Sequence, residues 1–351
     1  MLVDSPPESP PGRRARSAPR SSIRQGKRSC GLLVSALVLL LVVVASIAVG
    51  AKELSPEQVW HGLFGSSGTY GDVVVDERLA RTGLGLLAGA ALGLAGAVLQ
   101  ALTRNPLADP GLLGINAGAS AAVVTAMTYF GVTSLSGYVW FAFLGAAAVG
   151  ALVWFLGGSR GATPVRLALA GTAVSAALYG YLQAVMIMDS AALGRMRFWT
   201  VGSLSSATDA TTGQVLPFVA AGTLLALSLA RPLNAMAMGD DTAKALGARL
   251  NRTRALSMLA ATVLCGAATA ACGPIVFVGL MVPHAVRSFT GPDLRWILPY
   301  AMVLSPVLLL GADVLGRIVA RPAELQVGIV TAVLGGPVFI LLVRRRRTAH
   351  L

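Results

Sequence analysis

Long stretches without a single charge constrain this chain more than any other feature. Gly31–Ala51, Thr82–Thr103, Pro110–Ser159, Leu167–Met188, Ala210–Ala230, Ala255–Val286, Trp296–Ala312 and Leu325–Val343 are the main such runs. About 20 apolar residues suffice to cross a ~30 Å hydrocarbon core as a helix. Most of the 351 residues therefore belong in lipid. Charged residues make up 12% of the chain, against about 25% in soluble domains. A soluble enzyme, a disordered scaffold and a nucleic-acid-binding domain are excluded, despite a net charge of +13.

Counting the crossings takes two steps. Pro110–Ser159 holds two spans with a turn near Gly131–Ser136. Ala255–Val286 would make one helix of about 48 Å, too long for one crossing. The Arg- and Pro-rich residues 1–30 read as a disordered basic tail, and residues 344–351 open with Arg344–Arg347. Lys and Arg concentrate on the cytoplasmic side, which puts both termini there and requires an even number of crossings. Splitting the long stretch at Gly273-Pro274 gives ten, across residues 31–343. The expected fold is all-α and polytopic, in the cytoplasmic (inner) membrane, with the first apolar run retained as a helix rather than cleaved as a signal. Proline removes a backbone donor, and irregular backbone at membrane depth survives only where protein or a water-filled cavity meets it. The Gly-Pro break is either a kink or a pair of short helices facing a path.

Gly85, Gly89 and Gly93 recur every four residues, so they stack on one face of the second span. Small-xxx-small faces let helices approach closely in lipid. Arg78, Arg81 and Arg317 fall at outer membrane ends, against the usual sidedness. They are either snorkelling interfacial arginines or a docking patch for carboxylates of an extracytoplasmic partner. On the inner side, residues 232–254 carry Gly239, Asp240, Asp241, Ala243, Lys244, Leu246 and Gly247. Asp240 or Asp241 can cap a short helix that Gly247 ends, with Ala243, Leu246 and Leu250 on one side. Such a helix suits contact with a soluble partner. The loop Arg104–Gly111 is pinned by two prolines, as a tight turn or as a rigid gate.

Cys30, Cys265 and Cys272 have no metal or disulfide spacing, and His61, His284 and His350 are scattered. No GxxxxGK(S/T) loop exists, because Gly26-Lys27 is followed by Arg28. Any ATP that powers the protein is hydrolysed on another chain. No carboxylate lies in the middle of a span, which disfavours an ion-coupled carrier, and no catalytic cluster supports a membrane enzyme.

Ordered motifs carry a resemblance across residues 31–347. They are RLAR (Arg78–Arg81), QALTRNPLADPGLLG (Gln100–Gly114), RFWTVGSL (Arg197–Leu204), GDDTAKALG (Gly239–Gly247), GPIVFVGLMVPHAVR (Gly273–Arg287) and AELQVGIVTAVLGGPVFILLVRR (Ala323–Arg345). Together they resemble the FecCD-type permeases of ABC importers for ferric siderophores, haem and cobalamin. The resemblance implies a type II ABC importer permease without cofactor or metal, paired with a second permease subunit as a homo- or heterodimer. Two ATPase subunits and an extracytoplasmic binding protein complete the assembly. It also implies docking of that binding protein at Arg78, Arg81 and Arg317, and an inner gate at Asn105 and Leu107. A second constriction falls at Pro164 and Val165, and the ATPase seat at Gly239–Gly247. Over the stretch from Arg81 to Ser120, the likeness is greatest to permeases for catecholate siderophores such as enterobactin, with haem and cobalamin as alternatives. Outer Arg195 and Arg197 either favour an anionic cargo or simply flank the helix at Phe198-Trp199. Two positions depart from the family, Ala80 and Gln326, where proline is usual. The first is expected to loosen the Arg78/Arg81 spacing, and the second to move the start of the tenth helix.

Overall fold

The computed structural model describes residues 20–65, 68–132, 134–157 and 164–347, and every regular element among them is helical. In order they are α1 (Arg20–Ala48), α2 (Pro56–Phe64), α3 (Tyr70–Leu102), α4 (Ile115–Tyr129), α5 (Leu135–Leu156), α6 (Pro164–Met188) and α7 (Ser190–Trp199). There follow α8 (Asp209–Ser228), α9 (Ala230–Ala237), α10 (Asp240–Ala245), α11 (Leu250–Cys272), α12 (Val278–Thr290), α13 (Leu294–Val319) and α14 (Val327–Arg347). A 3-10 turn, Pro110–Leu113, precedes α4.

Seven of these helices, α1, α3, α5, α6, α8, α11 and α13, are long and apolar enough to span a membrane. The other three expected crossings fall on shorter apolar segments: α4 with 15 residues, α12 with 13, and Val327–Leu341 of α14.

Both expected tails need correction at their inner boundaries. Helix α1 begins at Arg20, not after residue 30. Tertiary contacts hold this basic stretch: Tyr300 Oη donates to the Arg28 carbonyl at 2.7 Å, and the Arg28 guanidinium lies over the Trp296 ring. Helix α14 likewise runs through Arg347, where basic residues favour a helix C-terminus. The rest of the two tails, residues 1–19 and 348–351, lies outside the described residues.

Helices α3 and α11 form the centre, and α1 lies at the periphery. The glycine stripe explains how α3 enters that centre. Gly85, Gly89 and Gly93 face α13: a Cβ on Gly89 would sit 2.6 Å from the Pro306 Cα, and one on Gly93 would sit 2.8 Å from the Ala301 carbonyl oxygen. One turn further, Gly96 lies against Gly279 of α12. In lipid, contact of this kind replaces the hydrophobic drive that packs helices in water.

The Gly-Pro break separates two distinct helices rather than kinking one. Helix α11 stops at Cys272, Gly273 takes φ 72°, and α12 starts at Val278 after Phe277 at φ 70°. The Cys272 carbonyl, left orphaned by the helix end, accepts the Ser203 N–H at 2.7 Å. Gly273 packs on the Trp199 carbonyl, and Gly202 on that of Pro274. Protein therefore covers the irregular backbone at Gly273, while Val276 further along the break is exposed.

Candidate functional site

The α1 C-terminus, the α3 N-terminus and the α13 C-terminus meet at one end of the bundle, and Arg78, Arg81 and Arg317 meet there with them. They are only 5%, 9% and 1% exposed. Arg78 donates from Nη1 to the carbonyls of Ile47 (2.9 Å) and Ala48 (3.0 Å), and from Nη2 to that of Lys52 (2.6 Å). Arg317 Nη1 donates to the Ser46 and Val49 carbonyls at 3.0 and 3.1 Å. Arg321 Nη2 takes the Gly50 carbonyl at 2.8 Å. The last carbonyls of a helix have no partner within it, and here Arg78 and Arg317 supply the donors, while Arg321 holds the backbone just beyond the helix end. Arg81 is held differently. Its Nε and Nη2 grip Asp313 (Nη2–Oδ1 2.7 Å), and Nη1 reaches Glu324 Oε2 at 2.6 Å. Asp313 is fully buried and also pairs with Arg317 Nη2 at 3.0 Å.

This geometry shows the three guanidiniums engaged within the subunit rather than snorkelling freely at the membrane edge. Most of their donors are taken up there by the orphan carbonyls of α1 and by the Asp313 carboxylate, while the buried Arg317 Nε has no hydrogen-bond partner among the described residues. The same geometry also overturns the expectation that Ala80 loosens their spacing. Ala80 lies within α3, which begins at Tyr70, and both neighbouring arginines are anchored. Beside them opens a polar cavity of about 500 Å³, with Lys52, Glu77, Arg81 and Glu324 among its walls. Helix α14 starts at Val327, directly after Gln326. At this end Arg197 is exposed on α7, and the Arg195 side chain lies outside the described residues.

At the opposite end, the loop after α3 borders a cavity of about 410 Å³. Asn105 and Val165, far apart in sequence, line it together with Asp109, Thr103 and Thr172. Leu107 does not line it, and the Pro164 side chain lies outside the described residues. Asn105 shapes the loop, its Oδ1 accepting the Leu107 N–H at 3.0 Å. Asp109 Oδ1 accepts the Gly111 N–H at 2.8 Å. Burial pushes the Asp109 carboxyl up to about 6, with the Gly111 N–H pulling the other way.

Next to this loop stands α10. Asp240 does not cap it by its side chain; Gly239, at φ 107°, occupies the N-cap position. The carboxylate instead bonds Arg104 and, at 2.6 Å, Arg254 Nη2. Partial burial raises the Asp240 pKa, but the two arginines outweigh it and hold the carboxyl below its ordinary value. The expected single apolar side is corrected too. Ala243 and Leu250 are buried, whereas Leu246 is 63% exposed, and Met238 is exposed with it. Leu246 is the C-cap of α10, and the turn at Gly247, φ 80°, comes between it and Leu250.

Residues 38–345 match the FecCD transport family. The chain belongs to that family. It is 46% identical, over 90% of its length and 96% of the relative's, to the ferric enterobactin transport system permease protein FepD of Escherichia coli. It is 36% identical to the hemin transport system permease protein HmuU of Yersinia pestis, over 90% of its length and 96% of the relative's. Among solved structures it resembles a metal-chelate type ABC transporter in an inward-facing conformation, with TM-score 0.80 and 27% identity over 90% of this chain and 99% of that one.

In this FecCD chain several polar groups that hold the site do not stand out from the sequence. Gln100 Nε2 donates to the Leu280 carbonyl at 3.0 Å, fixing α3 to α12. Asn116 Oδ1 accepts Thr269 Oγ1 at 2.9 Å and joins α4 to α11. Arg254 is, in sequence, only one of several loop arginines. A buried amide in an apolar run is the one signal that marks Gln100 and Asn116, since such groups need partners.

Proposed function

We propose that this FecCD chain is the permease subunit of an ATP-driven importer that carries a ferric siderophore, catecholate in type, from an extracytoplasmic binding protein into the cytoplasm. The observation that carries this reading is the 46% identity to the ferric enterobactin permease FepD across nine-tenths of the chain, against 36% to the hemin permease HmuU. The E. coli ferric enterobactin system names a second permease protein, FepG, to which the chain is 38% identical. That difference supports a heterodimer with a FepG-like partner over a homodimer.

Both termini lie in the cytoplasm on this reading, and the chain crosses the membrane ten times, with α4, α12 and α14 completing the seven long spans. Residues 232–254 face two ATPase subunits on separate chains, with Met238, Asp241, Lys244 and Leu246 offered to the contact. Asn105, Leu107, Pro164 and Val165 close the inner end of the path. The binding protein seats on the outer end over the polar cavity. Arg78 and Arg317 act there from beneath, by fixing the backbone after α1, and Arg81 presents its Glu324-facing edge.

Radiolabelled-iron uptake in a strain lacking this gene tests the reading. Plasmid-borne protein is expected to restore uptake of ferric enterobactin, and only while the partner ATPase is present. Restored uptake of a ferric hydroxamate or haem without enterobactin would overturn the cargo. Transport by the purified chain alone in vesicles would overturn the mechanism.

A further inference from the structure

Helix α10 has six residues and lies between two glycines in left-handed or related conformations, Gly239 at φ 107° and Gly247 at φ 80°, each with open space around it. Both boundaries thus leave room for the segment to shift. Among the described residues, its ion pairs to the rest of the chain all run through one side chain, Asp240, which Arg104 and Arg254 bond on opposite oxygens. Arg104 is the residue immediately before Asn105. It sits at φ 50°, one of two non-glycine residues at positive φ among those described. From there its Nη2 reaches both Asp240 and the Met236 carbonyl, the latter at 2.6 Å. An L residue adopts this region at a cost that surrounding contacts must offset, and those contacts are to α9 and α10. The loop bearing Asn105 and Leu107 is thus tied by its first residue to α10, while Arg254 ties the same carboxylate to α11, whose far end is the break at Gly273.

We propose that Asp240 is a positioning residue that transmits displacement of α10 to the gate loop through Arg104. The inference rests on the proposed function, in which α10 meets the ATPase and the loop closes the path. Charge-assisted bonds of this kind are directional as well as strong, so a shift of α10 pulls the loop rather than sliding past it. Removing the carboxylate leaves both partners folded but uncoupled, and ATP hydrolysis then no longer moves Leu107.

The test uses the complete transporter in inside-out membrane vesicles, with Cys30→Ser and Leu107→Cys, and follows the labelling rate by a membrane-impermeant maleimide. With the natural Asp240, the rate is expected to change several-fold between nucleotide-free and ATP-vanadate conditions. Asp240→Ala, Arg104→Ala and the isosteric Asp240→Asn are expected to bring that ratio toward unity at equal membrane abundance, and Asp240→Glu to restore part of it. The double variant is expected to lose no more than either single one. A several-fold response that persists in Asp240→Ala and Asp240→Asn, or losses that add in the double variant, would overturn the linkage. A parent protein whose label ignores nucleotide would overturn the proposed function itself.

Discussion

Replacing Gly89 by alanine adds one methyl group to α3, and the structure fixes where it must go. The new Cβ would lie 2.6 Å from the Cα and 2.8 Å from the nitrogen of Pro306. Carbon atoms rest about 3.5–4.0 Å apart, so α3 and α13 must separate by roughly 1 Å. The obstacle is backbone, and no side-chain rotation relieves it. Overpacking of this kind costs about 1–3 kcal/mol, partly offset by the ~0.5–1 kcal/mol that alanine gains over glycine inside a helix. The net expectation is a destabilisation centred at ~1 kcal/mol and reaching at most about 2.5 kcal/mol. Gly83, nearly two turns away on the same helix, has nothing within 4 Å of a built Cβ. Gly83→Ala is therefore expected to be neutral or stabilising by the propensity gain alone. A third variant separates side-chain from backbone obstruction. At Gly85 the methyl meets the end of the Leu310 side chain, so Leu310→Ala is expected to relieve Gly85→Ala but not Gly89→Ala. Thermal unfolding of purified protein in detergent, followed by intrinsic fluorescence, ranks the set. If Gly89→Ala melts with or above Gly83→Ala, the close approach of α3 to Pro306 is refuted as the reason for the stripe.

Asp313→Ala leaves Arg81 and Arg317 with an emptied partner, and breaking a buried pair costs about 3–5 kcal/mol; a clear fall of the same melting midpoint is expected, with Asp313→Glu between the two. The Asp109 carboxyl is raised from 3.8 to about 6, so its charge opposes folding above that pH, and the opposition is relieved as pH falls from 6 toward 4. Against Asp109→Asn, the natural protein is expected to gain stability as pH falls from about 6.5 to about 4 (the ~2-unit window between the shifted and ordinary pKa), read as the difference between their melting profiles. Maleimide is expected to modify Cys30 in folded protein, and Cys265 and Cys272, both buried, only after unfolding.

Much of the fold is legible in the sequence because lipid tolerates so few charges. Runs without Asp, Glu, Lys or Arg locate the spans, and Gly273-Pro274 locates the break, where a missing donor and a positive φ together end the helix. The glycine stripe tells which helix is central. The engagement of Arg78, Arg81 and Arg317 is not legible for a physical reason: sequence shows a charge but not the carbonyls around it. Nothing in the order of residues says that Ile47, Ala48 and Ser46 will stand beside Arg78 and Arg317. The pairing of Asp240 with Arg104 and Arg254 is hidden likewise, because Asp240 fits a capping pattern equally well from sequence. Asn105 and Val165, by contrast, are placed by motif and do share one cavity.

The clasp on α1 bears on how such a protein is made. Its first helix to enter the bilayer is finished by side chains that lie 31 and 271 residues downstream. Until the last of these emerges from the ribosome, water or the insertion machinery must satisfy the peptide oxygens at its end. Truncating the gene before Arg317 thus removes more than a late helix: it leaves the earliest one open.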